Sequence, residues 1–131
     1  MKFSIVVQSS PFSGQSPATA LRFAKSLLEQ GHELFRVFFY SEATLTASEL
    51  ISPPQDEVNL NKEWADLAKQ HKLDVVVCIA AAVKRGVLDV NEAKRNEKSA
   101  ANIDPAYELS GLGQLAEAIA VSDRVITFGG Q

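Results

Sequence analysis

The apolar residues of this chain alternate between two spacings. Short runs rich in Val, Ile and Phe occur at Phe3–Val7, Glu33–Tyr40, Asp74–Ile79 and Asp123–Phe128. Each has the length of a strand. The first and third are almost continuously apolar, as strands covered on both faces should be. Between them the apolar spacing changes to three and four, the helical period. One stripe, Ala20, Leu21, Ala24, Leu27 and Leu28, starts from Pro17 and closes at Gly31. Pro17 suits a first helical turn, and Ser16 reads as the cap before it. A second stripe, from Asn59 or Asn61, holds Leu60, Trp64, Leu67, Ala68 and His71. A third, from Gly111 or Gly113, holds Leu112, Leu115, Ala116, Ile119 and Ala120.

Strands that alternate with helices imply right-handed crossovers and helices on both faces of a sheet. The predicted fold is α/β, a three-layer α/β/α sandwich whose mainly parallel sheet has four to five strands. Tyr107-Glu108-Leu109 would supply the short fifth strand. Ser41 to Gln55, with Pro53-Pro54, reads as a long loop with at most a short helix. Ala80 to Ala106 is helical in propensity, with Gly86 and Asn91 as breaks. A length of 131 residues suits one domain, taken as 1–128, with 129–131 a flexible tail.

Composition narrows the class. The chain is 46% hydrophobic and 22% charged, which excludes disordered and fibrous proteins. Its longest apolar run, Val75 to Val83, is nine residues, well short of the about 18 a membrane helix needs. The N-terminus lacks a signal-peptide pattern, so a cytoplasmic location is expected. A net charge of −3 argues against a protein that grips nucleic acid unaided. The densest basic stretch runs from Lys84-Arg85 through Lys94-Arg95 to Lys98 and is interleaved with Asp89, Glu92 and Glu97. It reads as a solvated helical face.

Chemistry in parallel sheets gathers outside the carboxyl ends of the strands. Three features are predicted there. The hydroxyl-rich loop Gln8 to Ser16 enters a helix and could hold an anion, yet it has neither the P-loop nor the three-glycine dinucleotide pattern. Leu109 to Ala118 offers Ser110 as a cap and two glycines for close approach. The third is Cys78, the one cysteine, at the end of the third strand and just before the alanine-rich Ile79-Ala80-Ala81-Ala82. A thiol before a helix meets the positive end of its dipole, which favours the attacking thiolate. The alternative is a buried, inert cysteine. With one cysteine no internal disulfide forms. His32 and His71 lack ligand spacing, so no metal is expected, and Trp64 reads as core.

Several segments together resemble a known family. They are Gly31-His32-Glu33-Leu34, Val37-Phe38-Phe39-Tyr40, Cys78 through Val87, Leu109 through Ala118, and Ser122-Asp123-Arg124-Val125. In register over nearly the whole chain they are similar to the TusD-like subunits of sulfur-relay complexes, in the DsrE/DsrF-like superfamily. The resemblance implies a sulfurtransferase that works through a cysteine persulfide, with Cys78 in the position of the carrying cysteine. It implies TusB- and TusC-like partners in a dimer of heterotrimers, a TusA-like sulfur donor and a TusE-like acceptor. The sulfur would end in 2-thiouridine at a tRNA wobble position, without this chain touching tRNA and without a cofactor.

Two other settings remain open at this level. Related superfamily members serve dissimilatory sulfur oxidation. A flavodoxin-like flavin or nucleotide binder would instead use the loop Ser9 to Ser16. A carrier thiol would also need cover between encounters, for which that loop and Arg95 to Pro105 are the expected segments. The aromatic cluster Phe35, Phe38, Phe39 and Tyr40 suggests an apolar contact surface near the second strand.

Overall fold

The computed structural model describes residues 1–129. Five strands form one sheet: β1 (Lys2–Val7), β2 (Glu33–Phe39), β3 (Val75–Cys78), β4 (Glu108–Ser110) and β5 (Arg124–Phe128). They lie in the order β4-β3-β2-β1-β5, and every neighbouring pair is parallel. The helices are α1 (Ser16–Glu29), α2 (Leu60–His71), α3 (Ile79–Lys84), α4 (Val90–Arg95) and α5 (Gly113–Val121). The predicted three-layer α/β/α sandwich is therefore the observed fold. No helix among the described residues is long and apolar enough to cross a membrane.

Alternation along the strands builds two unlike faces. Ile5, Val7, Val37, Phe39, Val75 and Val77 point to one side and meet α1 and α2. There Trp64 is buried, its ring edge-on to Phe39 with centroids 5.5 Å apart. Phe38, Val76 and Cys78 form a smaller cluster on the other side, against Leu115 of α5. Ser4 bonds Ser122 across 2.7 Å at the far end of α5. Arg36 is buried and ties three elements together. It donates to Asp74 at 2.7 Å, and to the Gln114 carbonyl and Glu117 at 2.8 Å each. Burial opposes its charge, but the bonds to Glu117 and Asp74 outweigh that and raise its pKa.

Several local expectations change. Gln15, not Ser16, occupies the cap position of α1, and no side chain caps it. Ser16 and Pro17 already lie inside the helix. Asn59 does cap α2, accepting from the Lys62 amide. β3 ends at Cys78, and Ile79 is already helical. The short helix allowed for between Ser41 and Gln55 is present as a 3-10 helix, Ser41–Ala47, that buries Ala43, Thr44, Thr46 and Ala47. Asn91 does not break a helix but lies within α4, because Asp89 caps that helix on the Glu92 amide. Gly86 is the break, with φ +81°. Of the aromatic cluster, Phe38 and Phe39 are spent on the core, while Phe35 and Tyr40 are half-buried. The third apolar stripe splits: Leu115 and Ala118 turn inward, while Leu112, Ala116, Ile119 and Ala120 are exposed. Of the expected tail, residues 130 and 131 lie outside the described residues.

Candidate functional site

Parallel strands bring all five carboxyl ends to one edge. Cys78 is the last residue of β3, paired in register with Ser110 of β4. On its other side the chain leaves β2 through Tyr40 and Ser41, since Phe39 pairs with Val77. Cys78 is therefore flanked by two strand ends, and its own chain turns directly into α3. Its backbone is still extended, at φ −61° and ψ 117°, which makes it the residue preceding the first helical turn.

These elements enclose an open cavity of about 570 Å³. Tyr40 and Ser41 line one wall, Gly111 and Leu112 the opposite wall, and Ile79, Ala80 and Ala81 the side made by α3. Lys84 and Arg85 stand at the far end of α3 and complete the lining. Cys78 lies in this lining and is only 3% exposed. A reacting group must therefore enter the cavity to meet the sulfur.

The walls are held by specific contacts. Ser41 has φ +55°, a left-handed conformation uncommon outside glycine, and it turns the chain sharply from β2 into the 3-10 helix. Thr44 bonds the Ser41 carbonyl at 2.8 Å and the Ala81 carbonyl at 3.5 Å, which ties this turn to α3. Arg85 is paired with Glu42 of the same 3-10 helix and donates to the Ala81 carbonyl at 3.0 Å. Lys84 has no acidic partner among the described residues. It is the one uncompensated charge of the cavity.

Of the other predicted features, Leu109 to Ala118 reaches the cavity through Gly111 and Leu112, and the rest lie elsewhere. The loop Gln8 to Ser16 contributes nothing to the cavity, nor does Arg95 to Pro105, so neither covers the thiol. The cover comes from Tyr40-Ser41 and Gly111-Leu112 instead. At the start of the Gln8 to Ser16 loop the Gln8 amide continues the β1–β5 ladder, donating to the Phe128 carbonyl at 2.8 Å. A Cβ placed on Gly129 would stand 2.9 Å from the Gln8 Cβ. His32 accepts at Nδ1 from the N-terminal ammonium at 3.1 Å and packs edge-on against Phe3. His71 ends α2. No group of three metal-ligating side chains occurs among the described residues. Tyr40 and Ser41 were not expected at the site. The adjacency of β2 and β3 was the available signal, because it sets the residue after Phe39 beside Cys78.

Comparison with known proteins decides the family. The DsrE/DsrF-like family model matches residues 1–128. The chain belongs to the DsrE/DsrF-like family. It is 48% identical to the DsrE protein of Allochromatium vinosum over 129 residues, covering 98% of this chain and 99% of that one. It is 44% identical to the sulfurtransferase TusD of Salmonella typhi over 128 residues, covering 98% and 100%. Among solved structures it resembles the ychN protein from E. coli, with a TM-score of 0.78 at 25% identity, covering 98% of this chain and 99% of that one.

Proposed function

We propose that this chain, acting as one domain over residues 1–128, is a sulfur-carrying sulfurtransferase subunit with Cys78 as its catalytic residue. Its relatives support a sulfurtransferase role of the TusD/DsrE type. One observation carries the assignment to Cys78: the lone cysteine lines an open cavity at the carboxyl edge of the sheet.

The chemistry is two successive thiol exchanges. The Cys78 thiolate attacks the outer sulfur of a persulfide on a TusA-like donor. The donor's S–S bond breaks, and the donor leaves as a thiolate. Cys78 now bears the sulfane sulfur. A thiolate on a TusE-like acceptor then attacks that outer sulfur, and Cys78 leaves as the thiolate it began as. No net oxidation occurs, and no metal or nucleotide is required. The single cysteine suits a carrier, because a second one within reach would discharge the persulfide as a disulfide.

The sulfur goes to 2-thiouridine at a tRNA wobble position, in a cytoplasmic complex of two copies each with TusB- and TusC-like subunits. The exposed apolar residues of α5 supply a surface for such partners. Cys78→Ser tests the reading. Near-complete loss of 2-thiouridine is expected in a strain that depends on the variant, with the complex still assembled. Normal thiolation in that strain would remove Cys78 from the mechanism. The identity to DsrE favours a second setting for the same carrier chemistry, dissimilatory sulfur oxidation. A deletion strain that keeps its 2-thiouridine while losing sulfur oxidation would move the chain there.

A further inference from the structure

The basic stretch between Lys84 and Lys98 is more than a solvated face. The cavity around Cys78 does not end at Lys84. A second hollow shares Ile79, Ala80 and Lys84 with it and continues to Arg95 and Asn96. A third shares Val83 and Asn96 with the second and runs to Lys98 and Ser99. A fourth shares Lys98 and Ser99 with the third and reaches Lys94 and Val90. Through these shared residues the four hollows adjoin one another along α3 and α4, beginning with the one that Cys78 lines, and we read them as one groove.

The groove has a consistent chemistry. Its apolar parts come from Ile79, Val83, Leu88 and Ala93. Its cations are Lys84, Arg85, Lys94, Arg95 and Lys98. The one acid in its lining is Glu92, which is paired with Arg95 at 3.5 Å. Lys84, Lys94 and Lys98 have no acidic partner among the described residues. This concentration of positive charge sits on a chain whose net charge is −3. Fields focused in a groove attract the opposite charge and raise association rates.

We propose that this groove docks an acidic, partly apolar segment flanking the cysteine of the protein that exchanges sulfur with Cys78. The inference rests on the carrier reading and adds to it the chemistry of the partner. Continuity decides where the segment lies. A cysteine that reaches Cys78 must enter the cavity, and the chain beside it then runs along the groove. Charge complementarity decides its composition. Nucleic acid is the weaker occupant, since the groove along α3 and α4 has no aromatic side chain for a base to stack on.

The test uses the full chain and two synthetic peptides. Each carries one terminal cysteine as a mixed disulfide with thionitrobenzoate. One continues with alternating Glu and Leu, the other with alternating Lys and Leu. The Cys78 thiolate attacks the peptide sulfur, the S–S bond breaks, and thionitrobenzoate leaves as its coloured thiolate. The acidic peptide should react about tenfold faster at low salt. High salt should erase most of the advantage. Lys94→Glu with Lys98→Glu should abolish it while leaving alkylation of Cys78 by iodoacetamide unchanged. Lys94→Gln with Lys98→Gln should give an intermediate rate and guards against misfolding of the reversal. Equal rates for the two peptides, or an advantage that survives both pairs of substitutions, would overturn the groove. So would tRNA that competes with the acidic peptide. Cys78 inert to iodoacetamide and to both peptides is a different failure, which would sink the carrier reading and the groove with it.

Discussion

Under α1 and α2 the sheet packs Trp64, Phe39 and Tyr107 into a continuous apolar core. Under α5 it carries Ser4, Arg36 and Cys78, and the helix above is half uncovered. The first side is held by area removed from water, the second by a few directed bonds. The difference assigns the work. A densely packed face sets the positions of the strand ends. The lightly covered face holds Cys78 and leaves apolar residues of α5 in water. Substitutions on the two faces should therefore fail in different ways.

The largest effect is expected on the packed face. Trp64 is 1% exposed, and Phe39 and α1 hold its surroundings in place. Trp64→Ala should cost about 3–5 kcal/mol, from lost burial and the cavity left behind. Against a typical total of about 5–15 kcal/mol this approaches unfolding. Urea denaturation measures it, and a loss below about 1 kcal/mol would mean that α2 packs far more loosely than this.

Arg36 gives the corresponding test on the second face. Arg36→Met keeps the apolar stem and deletes the bonds to Asp74, Glu117 and the Gln114 carbonyl. The two carboxylates are 40% and 55% exposed, so water takes over part of what they lose. The expected cost is about 1–3 kcal/mol. Its signature is local: amides of α5 should exchange hydrogen faster while those of α1 and α2 hardly change. Uniform acceleration across the chain would erase the proposed division between the faces.

Tyr107 brings pH into the comparison. Its hydroxyl donates to the Asn61 carbonyl at 2.8 Å within the packed face. Burial, and then the nearby Asp104 charge, push its pKa well above the ordinary value of about 10. The folded state therefore keeps the phenol proton where the unfolded chain releases it. By linkage this contribution is complete below about pH 10 and is lost as pH rises further toward the folded pKa. Tyr107→Phe should lower stability by about 0.5–1.5 kcal/mol near neutrality, through the lost hydrogen bond. The gap to the wild type should narrow above pH 10. Thermal unfolding at pH 8 and pH 10.5 measures both; a gap that widens would contradict the buried neutral phenol.

Strands and the packed face were legible because periodicity reports burial directly. β1 and β3 are apolar on both sides in the sequence and buried on both sides in the fold. Cys78 at a strand end before a helix was legible for the same reason. Of its cavity walls, the one from Gly111 and Leu112 fell in a segment predicted at the carboxyl edge, and the one from Tyr40 and Ser41 did not. Tyr40 and Leu112 lie 38 and 34 residues from Cys78 in sequence, and only strand order brings them together. The third stripe misled because hydrophobic spacing shows that a helix face wants cover without showing which chain provides it. Leu112 and Ile119 keep the helical period of a core and remain outside it. The basic stretch is a solvated face as read, with Lys84, Lys94, Arg95 and Lys98 exposed; sequence does not show that these cations follow α3 and α4 away from the thiol.

The smallest effect on stability is expected where the effect on association is largest. Ile119 and Val121 of α5 are 57% and 42% exposed, and Leu112, just before its first turn, is 52% exposed. Residues three and four apart share a helix face, so Leu112, Ala116, Ile119 and Ala120 make one stripe. Leaving that stripe in water gains nothing for the isolated chain. Ile119→Asp should therefore change its unfolding free energy by no more than about 0.5 kcal/mol. The same substitution places a charge inside any apolar interface that covers α5, where it would lose water without gaining a partner. Light scattering of chains co-expressed with TusB- and TusC-like subunits separates the two effects. Wild type should give a complex of two copies each, and Ile119→Asp a folded chain that no longer joins it. A variant that assembles normally would show that the partners bind elsewhere, and the exposed half of α5 would then lose its role in the proposed complex.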